Sequence, residues 1–151
     1  MKQNKKGFTL IELLVVIAII GLLSTLSILA LNTARARARD AKRIADVKQI
    51  QTALEMFFND TGDYPASITP GAAIRTADNI FLAAVPTPPT PFDGATCQPP
   101  AVYGIVGGTP TYVYTRTGAA SYTITYCLGA TISNITGNVI HTASPAGIRL
   151  P

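Results

Sequence analysis

The chain divides by the spacing of its apolar residues into two kinds of segment. Residues 13–34 carry no charged side chain, and most are Leu, Ile, Val or Ala. Read as a helix, residues 8–31 would be roughly 36 Å long at 1.5 Å per residue. That exceeds the roughly 30 Å hydrocarbon core of a bilayer, so this segment can span one with some tilt. Beyond Arg43 the apolar residues thin to a stripe: Ile44, Val47, Ile50, Leu54, Phe57 and Phe58 recur at steps of three and four, and Asp46, Lys48, Gln49, Gln51 and Glu55 fill the other faces. This is the pattern of an amphipathic helix. No proline or glycine interrupts residues 22–61, which predicts one continuous helix over about 8–59, roughly 80 Å long, apolar all round at first and one-sided afterwards.

The helix is expected to stop at Asn59-Asp60-Thr61-Gly62-Asp63-Tyr64-Pro65, because Gly62 suits a left-handed cap and Pro65 cannot continue the turn. Asp60 and Asp63 are too few for a calcium cage, which needs six to eight oxygens, and fit turn-forming better. Residues 66–100, with prolines at 70, 86, 88, 89, 91, 99 and 100, read as loop, with a short helix over 77–85 capped by Asp78. Residues 101–106, 111–117 and 121–128 are rich in Val, Ile, Tyr and Thr and read as strands, the last two joined as a hairpin through Gly118-Ala119-Ala120. An edge strand is expected over 138–142. The sheet would bury one face on the helical stripe, giving an α+β fold: a long N-terminal helix, its amphipathic half packed and its apolar half protruding, on a small antiparallel β-sheet. The six tyrosines fit a sheet surface. His141, the sole histidine, is expected at the surface.

Charge and chemistry change this picture most at the head of the apolar run. Lys2, Lys5 and Lys6 precede it, and Lys6-Gly7-Phe8-Thr9-Leu10-Ile11-Glu12 opens it. Gly7 lets another backbone approach closely. A carboxylate at a helix centre in the membrane costs about 2.5–3.5 kcal/mol, less near the interface, so Glu12 implies a partner. It also lies in the first turn, where the helix dipole favours negative charge. A cleavable secretory signal is the rival, but the apolar run is too long for one and Glu12 sits inside its first turn.

These residues, followed by the apolar run over 13–26, resemble the type III signal of type IV pilin and pseudopilin precursors. The resemblance implies that residues 1–7 are a leader, cut between Gly7 and Phe8 by a prepilin peptidase on the cytoplasmic side, with N-methylation of the new Phe8 amine. It also implies that Glu12 guides assembly by pairing with the amine of a neighbouring subunit. Pairing with its own amine is the alternative, since positions i and i+4 share a face. The implied organisation is a transmembrane or filament-core helix over 8–31, its amphipathic half over 32–60, an αβ-loop over 61–100, and an antiparallel sheet with a C-terminal tail over 101–151. The implied partners are identical or related pilin subunits, the peptidase and methyltransferase, an assembly platform with its motor ATPase, and membrane lipid. Many pilins carry a proline at the position of Leu29, so loosening of this helix is expected instead around Gly21, Ser24, Thr25 and Ser27, whose hydroxyls can bond back to helix carbonyls.

The basic cluster Arg35, Arg37, Arg39, Lys42 and Arg43 follows the span, so flanking charge alone would not place the N-terminus in the cytoplasm; the resemblance does. Cleavage after Gly7 would leave nine basic against eight acidic side chains, so the net charge of +4 does not indicate nucleic acid. A juxtamembrane cluster of this kind contacts lipid headgroups or solvent. Cys97 and Cys127, an even pair in an exported domain, point to a disulfide worth about 3–4 kcal/mol. No nucleophile elbow, phosphate loop or zinc motif is present, so no catalytic residue, cofactor or metal ligand is assigned. The function expected is a structural subunit of a type IV pilus-like filament. The alternatives are a type II secretion pseudopilin, against which residues 129–151 lack the acidic residues of its calcium loop, and a single-pass anchored binding protein that never polymerises.

Overall fold

The computed structural model describes residues 7–100 and 102–149. The expected basic leader over residues 1–6, the start of the first expected strand at residue 101 and the last two residues of the tail lie outside the described residues. Two compact units meet between Arg35 and Ala36.

One uninterrupted helix, α1, runs over Leu10–Thr61. It ends as the local chemistry demands. Gly62 adopts φ 77°, its amide donates to the Phe58 carbonyl at 2.7 Å, and the Thr61 hydroxyl donates to Phe57 O at 2.8 Å. The acids of this turn are spent locally: Asp60 accepts from Thr76 Oγ1 at 3.2 Å and Asp63 pairs with Arg116 at 2.5 Å.

In the second unit, Asp40, Arg43, Asp46, Val47, Ile50, Ala53 and Leu54 line the buried stripe of α1. The stripe shares one core with Tyr122, Ile124, Tyr126 and Leu128 of the sheet. These four residues alternate along β6 (Ser121–Leu128), the central strand. Its partners are β5 (Val113–Gly118) and β7 (Val139–Ser144), and β8 (Gly147–Arg149) closes a four-stranded antiparallel sheet in the order β5-β6-β7-β8. The hairpin turn at residues 118–120 forms where it was expected. Two ribbons stand apart from this sheet: β1 (Ile74–Arg75) with β2 (Ile80–Leu82), and β3 (Gly104–Val106) with β4 (Thr109–Thr111).

Four expectations are corrected. The short helix over 77–85 does not form: Ile80–Leu82 is a strand, held by pairing with Ile74–Arg75, a tertiary contact that overrides local propensity. The strand over 138–142 is not an edge, because β8 covers it. The tyrosines do not decorate the surface; Tyr64, Tyr103, Tyr112, Tyr122 and Tyr126 are core residues, most with a hydroxyl that reaches a partner. His141 is buried opposite Tyr126, its Nε2 at 2.7 Å from the Thr136 carbonyl.

Candidate functional site

The candidate site is the head of α1, and the local sequence builds it. Gly7 and Phe8 precede the helix, Phe8 being 89% exposed. Thr9 takes the cap position. Its amide donates to Glu12 Oε2 at 2.8 Å, its hydroxyl donates to the same oxygen at 2.7 Å, and the Glu12 amide donates to Thr9 Oγ1 at 3.3 Å. This is the reciprocal arrangement of a capping box, which satisfies two amide donors at a helix start. The helix therefore begins two residues later than the apolar run, and the single carboxylate of this segment is oriented within its own first turn. Among the described residues, a side-chain carbon built on Gly7 meets nothing within 4 Å.

The sequence reading placed Gly7, Phe8 and Glu12 together at the lip of the apolar run; Phe8 and Glu12 border the same surface depression. It missed Thr9 as the group that holds Glu12, although Thr9-Leu10-Ile11-Glu12 is the capping-box pattern written in the chain. Below this head, every large apolar side chain from Leu10 to Leu31 is exposed, the least being Val15 and Val16 at 48%. Phe8, Ile11, Glu12, Val15 and Val16 border a shallow surface depression. The hydroxyls of this segment turn inward as expected: Ser24 Oγ donates to Ile20 O, Thr25 Oγ1 to Leu22 O and Ser27 Oγ to Leu23 O, at 2.7–2.8 Å. They remove the remaining side-chain polarity from a surface suited to lipid or to other apolar helices.

The second unit carries a different cluster. Cys97 and Cys127 form the expected disulfide, with Cα atoms 5.4 Å apart. Two arginines of the basic run are tied to the loop that precedes Cys97. Arg39 clamps Asp93 through Nε and Nη2 at 2.8 and 2.6 Å, a bidentate geometry. Arg43 is fully buried, paired with the equally buried Asp40, and donates to the Pro89 and Pro91 carbonyls at 2.9 and 3.0 Å. Asp40 also accepts from the amides of Gly129 and Ala130 at 3.1 and 2.8 Å. The expectation of five juxtamembrane cations for lipid or solvent is thus reduced to the exposed Arg35, Arg37 and Lys42. Arg39 holds the Asp93 carboxyl below its ordinary range despite partial burial. Burial raises Asp46, against the Tyr112 hydroxyl that donates to it at 2.9 Å. This cluster fastens the loop before the disulfide, and the end of β6, to the helix.

Comparison with known proteins bears on the first of these two places. The prokaryotic N-terminal methylation motif matches residues 2–28. The chain is 35% identical to type II secretion system core protein G of Klebsiella michiganensis over 66 residues, 44% of this chain and 46% of that protein. It is 32% identical to the fimbrial protein EcpC of Eikenella corrodens over 85 residues, 56% of each chain. It is 34% identical to a fimbrial protein of Neisseria meningitidis serogroup B over 80 residues, 53% of this chain and 46% of that one. The chain spans about half the length of the curated relatives it matches. No solved structure matches it.

Proposed function

From a chain that carries the N-terminal methylation motif of type IV pilin and pseudopilin precursors, we propose a structural subunit of a type IV pilus-like filament. The observation that carries this reading is the head of α1: a lone carboxylate, held in a capping box, above more than twenty residues of helix whose apolar side chains are all exposed within the chain. Such a surface is stable only against lipid or against other helices of its kind.

In this reading the precursor sits in the inner (cytoplasmic) membrane with a single span, a prepilin peptidase cuts between Gly7 and Phe8, and the Phe8 amine is methylated. The subunit then leaves lipid for the core of a fibre at the cell surface, through an assembly platform driven by a motor ATPase. Glu12 is poised to meet the Phe8 ammonium of an adjacent subunit. Thr9 already orders its carboxylate, which lowers the entropy lost on pairing. Because desolvation offsets much of a buried pair's attraction, this contact sets register more than it adds stability. The role is structural rather than catalytic. A type II secretion pseudopilin shares the whole mechanism, and the relatives of both names support the common architecture. The absence of acidic residues from 129 onward favours the pilus.

N-terminal sequencing and intact mass of the sheared surface fraction test the reading. Fibres whose subunits begin at N-methyl-Phe8 are expected. A monomeric membrane protein that keeps residues 1–7 would overturn it.

A further inference from the structure

The pattern Asn-x-Thr, which marks an acceptor for asparagine-linked saccharide in an exported chain, occurs twice, at Asn59-Asp60-Thr61 and at Asn134-Ile135-Thr136. The fold sets the two apart. Asn59 lies in the last turn of α1, and the Thr61 hydroxyl is committed, 2.8 Å from the carbonyl oxygens of both Phe57 and Asp63. Asn134 sits at the tip of a two-residue turn. Ile132 and Ile135 close that turn with reciprocal amide-to-carbonyl bonds of 3.0 and 2.9 Å. Ser133 takes φ 54° there, a conformation uncommon for a residue with a side chain. The base of the turn is fixed. The Gly137 amide donates to Thr131 Oγ1 at 3.0 Å, His141 Nε2 holds the Thr136 carbonyl at 2.7 Å, and Ile135 packs on the core. Ser133, Asn134 and Thr136 are exposed.

Asparagine is common in turns because its carboxamide bonds its own backbone two residues on. Among the described residues the Asn134 carboxamide makes no such bond, and the Thr136 hydroxyl makes none either. The two groups that the pattern requires, an amide nitrogen and a hydroxyl two residues on, are therefore both free on a rigid support. Charge points the same way. A saccharide activated as a diphosphate is anionic, and a carboxylate beside the acceptor repels it. Asn59 is followed by Asp60 and Asp63, whereas no Asp or Glu occurs after Asp93, so the segment that carries Asn134 has none. We propose that Asn134 of the folded second unit is an acceptor for N-linked saccharide and that Asn59 is not. The donor is a saccharide carried on a lipid diphosphate, a form of activated sugar that a membrane holds on its exported side. Nδ2 of Asn134 attacks the anomeric carbon. The carbon–nitrogen bond forms as the carbon–oxygen bond to the diphosphate breaks, the diphosphate leaves with the bonding electron pair, and the amide proton passes to a base of the transferase. The inference rests on export of the second unit in the reading above, and not on polymerisation.

The test is mass spectrometry of the full-length chain isolated from the cells that produce it, intact and after reduction and tryptic digestion. Asn134 falls in the peptide 117–149 and Asn59 in the peptide 49–75. A saccharide increment is expected on 117–149 alone. Asn134→Gln and Thr136→Ala should each abolish it, and Thr136→Ser, which restores the hydroxyl, should keep it. All three variants replace exposed side chains, and an intact Cys97–Cys127 disulfide in the unreduced digest shows that they fold. No increment on 117–149 in the unsubstituted chain, an increment on 49–75, or one on 117–149 that survives Asn134→Gln would overturn the assignment, the last by placing the sugar on a hydroxyl. Fibres are scored separately from the same cells, so each of these results leaves the filament reading intact.

Discussion

The two ends of α1 share backbone, secondary structure and a wealth of Ile, Leu and Val, yet their side chains meet opposite fates. Val47, Ile50 and Leu54 are completely buried, whereas Ile17, Ile20 and Leu22 are each more than half exposed. The difference follows from pattern. Around residue 50 the apolar residues fall on one stripe, and a single sheet covers it. Around residue 20 they surround the helix, and no small sheet can cover every side. The second region completes itself within the chain; the first leaves its apolar surface uncovered by the chain. Helix formation is common to both, and what stabilises each region is not.

The sharpest way to break this comparison is to remove the charge that the second region buries. Arg43→Ala leaves Asp40 buried without its counter-ion and strips the Pro89 and Pro91 carbonyls of their donor. Loss of one partner of such a pair costs about 3–5 kcal/mol. Guanidinium unfolding of the detergent-solubilised chain, followed by near-ultraviolet dichroism of the buried tyrosines, should show a loss of that size. A loss under about 1 kcal/mol would mean that the cluster is open to water and does not fasten the loop.

A matched pair of substitutions sharpens the comparison next. Ile50→Ala should destabilise the folded domain by about 2–5 kcal/mol, from lost burial plus the cavity left behind. Ile20→Ala makes the same chemical change at an exposed site and should move the unfolding midpoint of the solubilised chain by no more than about 0.5 kcal/mol, while fibre yield falls. Equal effects of the two on unfolding would erase the distinction between the regions.

How far the sequence foretold all this depended on the range of the interactions. The helix, its Gly62 stop and the β5–β6 hairpin follow from local rules, namely periodicity, a left-handed cap and alternation; their bounds moved, the helix running over Leu10–Thr61 and the strand read over 111–117 dividing at Tyr112 between β4 and β5. The head of the helix was legible too, and even Thr9 could have been found by testing for a capping box. What escaped was set by distant partners. Ile80–Leu82 became a strand because Ile74–Arg75 lies beside it. His141 went inside because it falls on the core-facing side of β7, opposite the buried Tyr126 of β6, while its neighbour Ile140 faces out. Arg39 and Arg43 look like solvent-facing members of a basic run until Asp93, 54 and 50 residues onward, arrives beside them. Nothing in a single sequence announces that pairing, since either arginine alone is also consistent with a charged helix face.

The smallest effect tests the rim of that same cluster through pH. Asp93 is depressed below the ordinary 3.8, chiefly by the hydrogen bonds from Arg39, with burial acting the other way. A carboxylate whose folded value is lowered adds stability that is present above its unfolded value and disappears as pH falls through the folded value. Asp46 has the opposite sign: burial raises it, so its ionisation opposes folding, and its share of stability grows on acidification through its raised folded value toward 3.8. The two groups partly cancel in the unsubstituted chain, and Asp93→Asn separates them. At pH 7 this variant should be less stable by on the order of 1 kcal/mol, the size of a partly exposed ion pair with good geometry. The gap should close as the pH is lowered below about 3.8, because the wild-type carboxyl is then losing its charge as well. Thermal unfolding at a series of pH values between about 7 and 2 reads this directly. A gap that stays constant through the acid range would show that Arg39 does not hold Asp93 by charge, and that the rim of the cluster is joined to the loop by shape alone.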